Sequence, residues 1–64
     1  MKQFIFEYDH KCSHQQNFES WYSENSAERR YYKERIYPVQ EAKLVFNKMY
    51  GKYNHRKQTL QPLS

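Results

Sequence analysis

Two groups of residues in this sequence have types and spacing that could do chemistry. The first is His10, Cys12 and His14, which alternate after an aromatic stretch. In an extended segment, alternate side chains point the same way, so an imidazole, a thiol and a second imidazole would converge. Zinc sites of the structural kind take four ligands, usually from paired clusters. Here the fourth could come only from Asp9 or distant His55, and no second pair is present. A Cys–His nucleophile would also need an orienting group and an oxyanion site, and no strained turn or donor nest is signalled. The expected state of this stretch is a polar loop with an incidental thiol. No metal, cofactor or catalytic residue is expected from it.

The second group is Arg29, Arg30, Tyr31, Lys33, Arg35 and Tyr37, where rings and cations interleave. Cations neutralise phosphates, and exposed rings can stack on unpaired bases. Five phosphate contacts on a duplex would give a salt slope of about −4.5. The same residue types are enriched at protein-binding hot spots, so docking on a larger protein, as an adaptor or a phage-type inhibitor, stands beside nucleic-acid binding. The plain alternative is that the tyrosines pack inside and the cations only keep the surface wet.

Charge supports the second group. Residues 1–27 hold two lysines against Glu7, Asp9, Glu19 and Glu24, a net −2. Residues 28–64 hold nine cations against Glu28, Glu34 and Glu41, a net +6, which leaves +4 overall. A basic half of this kind draws nucleic acid, acidic protein surfaces or anionic lipid. The chain has 64 residues, enough for one small domain with a marginal core. Its 19% aromatic content is what can hold such a core together, because each ring buries a large area. No apolar run approaches the ~18 residues of a membrane span. The single cysteine suits a reducing compartment, and a cytoplasmic, non-enzymatic binding protein is expected. A homodimer is left open.

The elements that must position these residues read as follows. In residues 2–9, Phe4, Phe6 and Tyr8 alternate with Gln3, Ile5 and Glu7, the pattern of a strand. Residues 10–16 read as a loop. Residues 17–37 admit two readings. Phe18, Trp21 and Tyr22 fall at helical spacing, while the Tyr and Trp content and the turn-forming Glu24-Asn25-Ser26-Ala27 favour strands 16–23 and 29–37. The two-strand reading is preferred, and it places Tyr31, Lys33, Arg35 and Tyr37 on one face with Tyr32 and Ile36 on the other. In residues 39–50, Val39, Ala42, Val45, Phe46 and Met49 form one apolar helical stripe, extended by Tyr50 and Tyr53, with Leu44 off it. Pro38 suits the helix start. Gly51 sits where a left-handed C-terminal cap is wanted.

The resulting expectation is a small α+β domain over residues 1–53. A two- or three-stranded antiparallel sheet packs against one C-terminal helix, whose stripe meets Phe4, Phe6, Tyr8, Tyr32 and Ile36. A polar tail follows over 54–64, where Gln58, Leu60 and Leu63 have some likeness to sliding-clamp-binding peptides. The segment 29–51, with its Tyr- and Arg-rich stretch, Glu41-Ala42-Lys43, then Phe46, Met49, Tyr50 and Gly51, resembles short bacterial and phage proteins that pair a small antiparallel sheet with one helix. That resemblance implies a β-β-β-α arrangement and no activity. The stretch from Phe6-Glu7-Tyr8 through Cys12 to Phe18-Glu19 is similar to the opening hairpin of zinc-ribbon proteins, but the absence of any Cys-x-x-Cys pair excludes that assignment.

Overall fold

The computed structural model describes residues 5–54 and Leu60. Phe4, His55 and the peptide-like tail motif, apart from Leu60, lie outside the described residues. The order of elements is an extended segment over 5–9, a turn, helix α1 (His14–Tyr31), a loop, helix α2 (Val39–Tyr50) and a 3-10 turn (Gly51–Tyr53). No strand occurs among the described residues, so the chain is all-α rather than α+β. The β-β-β-α arrangement implied by the resemblance is not found.

Helix α1 takes in all of 16–23 and the start of 29–37, the two expected strands, while 32–37 form a loop; the start of the helix explains why. Ser13 accepts a hydrogen bond from the Gln16 amide at 3.0 Å, and Gln16 Oε1 accepts one from the Ser13 amide at 2.9 Å. This is a reciprocal capping box, which satisfies two amides that a helix end otherwise leaves without partners. The buried face is His14, Asn17, Phe18 and Trp21, spaced as a helix requires. Two of those four are polar, so the apolar stripe is thin and the helical period is diluted.

The polar pair is buried because every bond it needs is supplied. The Asn17 amide donates to the Asp9 and Ser13 carbonyls at 2.9 Å and to that of Cys12 at 3.4 Å, while its Oδ1 accepts from the Asp9 amide at 2.7 Å. Asn17 thereby ties the 9–13 turn to the first turn of α1. His14 bridges two other segments. Its Nε2 meets Asn47 Oδ1 of α2 at 2.9 Å, and its Nδ1 meets the Tyr8 hydroxyl at 2.8 Å. An amide oxygen only accepts, which places the ring hydrogen on Nε2 and leaves Nδ1 to accept from Tyr8.

The far end of α1 closes as a Schellman motif. The Glu34 amide donates to the Arg29 carbonyl at 2.7 Å and the Lys33 amide to that of Arg30 at 3.1 Å. Lys33 takes the left-handed position with φ 59°, the place where glycine is the usual residue. A lysine there costs about 1 kcal/mol relative to glycine.

Helix α2 forms where the apolar stripe predicts it, with Pro38 as its N-cap. The Ala42 amide reaches the Pro38 carbonyl at 2.9 Å. Gly51 departs from expectation. It is right-handed, φ −59° and ψ −29°, and opens the 3-10 turn instead of capping the helix in the left-handed region. Met49 is also off the buried face, at 46% exposure.

The core is Phe18 and Trp21 from α1 with Ala42 and Phe46 from α2. In residues 5–9, Phe6 and Tyr8 turn inward while Ile5, Glu7 and Asp9 stay exposed. The period of two is therefore real, but it reports an extended segment laid on helices, not a strand in a sheet. Phe6 and Tyr8 meet Phe46 as expected. Tyr32 is 53% exposed instead of buried: it shares the azimuth of His14, but as the C-cap of α1 it lies well past Trp21, the last buried residue of that helix. Ile36, in the loop, is half-buried and contributes to no buried cluster.

Two outcomes follow for stability. Phe46→Ala should cost about 3–5 kcal/mol, comparable to the whole stability of a domain this size, and circular dichroism should show a chain unfolded at room temperature. Gly51→Ala adds a Cβ that meets nothing within 4 Å. With φ already right-handed, it should stabilise by about 0.4–1 kcal/mol in urea unfolding.

Candidate nucleic-acid interface

The six residues singled out for binding sit at one corner, formed by the end of α1 and the 32–38 loop. Their roles differ because the helix sorts them. Arg29, still on the inner side of α1, is half-buried and works within the chain. Its Nη1 donates to the Arg35 carbonyl at 2.9 Å and its Nη2 to the Tyr37 hydroxyl at 2.7 Å. The guanidinium carbon lies 4.0 Å from the Tyr37 ring centroid, a cation–π contact. Tyr37 is half-buried, and its carbonyl accepts from the Tyr22 hydroxyl at 2.6 Å. Arg29 and Tyr37 therefore fasten the loop back onto α1.

Arg35 pairs with Glu41 of α2 at 2.8 Å, and that bond together with the Glu41 charge holds the guanidinium's pKa above its ordinary value. Arg35 is exposed and Glu41 only half-buried, so solvent screens the pair and it adds little to stability. It still spends Arg35's charge on Glu41. That leaves Arg30 and Lys33, both exposed, and among the described residues no side-chain hydrogen bond or ion pair engages either.

Between them lie Tyr31 and Tyr32, each 53% exposed. Their rings stand edge to face, 80° apart with centroids at 5.0 Å. Tyr32 was expected in the core. Its exposure follows from the helix, in which 31 and 32 fall in the terminal turn beyond the buried face. The capping box at Ser13 is the sequence signal for the start of α1. The shared face expected for Tyr31, Lys33, Arg35 and Tyr37 as alternate residues of a strand is not formed. The exposed run is Arg30 to Arg35, six consecutive residues, of which Arg30, Tyr31, Tyr32 and Lys33 come first and Glu34 and the Glu41-paired Arg35 follow.

The acidic half is gathered elsewhere. Glu7, Asp9, Glu19 and Glu24 all line one open groove of about 640 Å³, with Ile5 and Phe6. These are the same four acids that make residues 1–27 negative. Phosphate is repelled from that face.

The His10, Cys12 and His14 group is dispersed. His10 packs against Tyr8 and Tyr53, His14 is buried in its bridge between Tyr8 and Asn47, and Cys12 is exposed in the turn. Among the described residues, no three His, Cys, Asp or Glu side chains are placed to hold a metal ion. Asp9 organises the turn. Its Oδ1 accepts from the Lys11 amide at 2.9 Å and its Oδ2 from the Cys12 thiol at 3.5 Å. These two bonds, the Lys11 one foremost, draw the Asp9 carboxyl below its ordinary pKa. The Cys12 thiol is pushed up, first by desolvation, then by the bond to Asp9 and its negative charge, so the thiolate is disfavoured.

No family model, curated protein or solved structure matches this chain significantly. Among the described residues, no helix is long and apolar enough to cross a membrane.

Asp9→Asn keeps an oxygen for the Lys11 amide while removing the charge beside Cys12. Alkylation of Cys12 by iodoacetamide near pH 8 should speed up several-fold. An unchanged rate would show that Asp9 does not restrain the thiol.

Proposed function

We propose that this chain is a non-enzymatic binding protein that contacts nucleic acid through the corner at the end of α1. The observation that carries the reading is the exposed Tyr31–Tyr32 pair flanked in sequence by Arg30 and Lys33. Rings beside cations are what a nucleic-acid surface uses, the rings for bases and the cations for phosphates. The gathering of the acids in a separate groove supports it, because a polyanion is repelled from that face.

The contact is smaller than the sequence suggests. Arg29 and Arg35 are engaged within the chain, so two of the group's four cations remain. A second reading, docking on a larger protein, is favoured by the groove itself. Its acidic walls and exposed Ile5 (66%) suit a basic segment with an apolar residue.

Fluorescence anisotropy of a labelled oligonucleotide tests the first reading. Binding should weaken as salt is raised from about 50 to about 200 mM, and the joint substitution of Arg30 and Lys33 by Glu should abolish it. Binding indifferent to both, or none at low salt, would contradict the reading and leave the groove as the surface to pursue.

A further inference from the structure

The tyrosine pair and the left-handed lysine together say which form of nucleic acid fits. We infer that the corner is a single-strand site. An unpaired base lies against the Tyr31–Tyr32 corner, and Lys33, held at φ 59°, contacts an adjoining phosphate. This rests on the nucleic-acid reading above.

The weight of each force decides it. Phosphate attraction is small here. Arg30 and Lys33 are the cations left over, and two contacts on a single strand give a salt slope of only about −1.4. The corner is also the carbonyl end of α1, the negative end of its dipole, which disfavours phosphate. Glu28 and Glu34 are close in sequence. Charge alone therefore cannot hold a polyanion at this end of the helix, and the rings must supply the affinity. One stacked base is worth about 5- to 150-fold in binding.

A ring can stack only on a base whose face is open, and in a duplex the faces are already taken by neighbouring base pairs. Duplex grooves admit a helix or a two-stranded ribbon laid along them. This corner offers a helix terminus and a short loop. The edge-to-face angle of 80° makes it a corner for one base. A flat ring stacked on the tyrosine whose edge points inward presents its own edge to the face of the other.

Lys33 is the independent observation. Its backbone conformation is one that glycine adopts without cost and lysine does not. The Schellman closure would form better with glycine, since the motif's own bonds come from backbone atoms. Lysine at this position gives up stability for a side chain that no described residue engages. Strain of this kind concentrates where a side chain is required for function.

The experiment measures anisotropy of a labelled oligothymidylate and of a labelled hairpin duplex of equal length, with the full chain and three variants. The oligothymidylate should bind several-fold tighter than the duplex. Tyr32→Ala, at an exposed position, should weaken single-strand binding about 5- to 150-fold and leave duplex binding unchanged. Lys33→Gly should raise the melting temperature yet weaken binding and flatten the salt slope by about 0.7. Lys33→Asn, which removes the charge at a conformation Asn tolerates, should weaken binding equally. Duplex binding equal to or tighter than single-strand binding overturns the single-strand assignment while the nucleic-acid reading survives. No binding of either probe overturns that underlying reading. A Lys33→Gly chain that binds as the parent does, or melts lower, overturns the role given to Lys33.

Discussion

The ring of Phe46 has no exposed surface, and the extended segment, α1 and α2 all meet at it. Phe6 and Tyr8 approach from the extended segment, with centroids at 6.1 and 6.2 Å. His14, Phe18 and Trp21 approach from α1 at 5.0, 5.6 and 5.4 Å, and Tyr50 from its own helix at 5.1 Å. Two helices alone bury little, and a chain this short has few apolar residues to add. The solution is to wrap three segments around one ring. Aromatic pairs contribute beyond the area they bury, which is how a chain of low apolar content can still close a core. The position of the α1 terminus, and so of the proposed binding corner, depends on that closure.

Helix α2 was legible because its signals agree: a full apolar stripe, Pro38 before it and Glu41 in its first turn. The alternation of Phe6 and Tyr8 was legible as well, but period two fixes only that the backbone is extended. It cannot say whether a neighbouring strand exists. Helix α1 was obscured for a physical reason. His14 and Asn17 occupy buried positions as hydrogen-bonding residues, so hydrophobicity under-reports the inward face. The tyrosines and Trp21 at the same time imitate strand composition. The capping box from Ser13 to Gln16 held the answer, since it satisfies helix amides and has no purpose in a strand.

The candidate site was legible in composition and not in membership. Arg30, Tyr31 and Lys33 are exposed together, and Tyr32 joins them because it caps the end of α1, past the core. Arg29, Arg35 and Tyr37 were sorted by contacts that no spacing rule shows: a cation–π stack, a carbonyl in the loop and an ion pair to α2. The left-handed turn at Lys33 was hidden for a related reason. Sequence marks such a turn by glycine, and here the one glycine is right-handed while a lysine carries the positive φ.

The central claim is that residues 14–31 form one helix packed on Phe46. Solution NMR tests it most directly, through backbone carbon shifts over 14–31 and through-space contacts of the Phe46 ring. The account predicts continuous helical shifts from His14 to Tyr31, with Phe46 ring protons close to those of both Trp21 and Phe6. Extended-chain shifts over 16–23 and 29–37, with cross-strand contacts between those stretches, would contradict it.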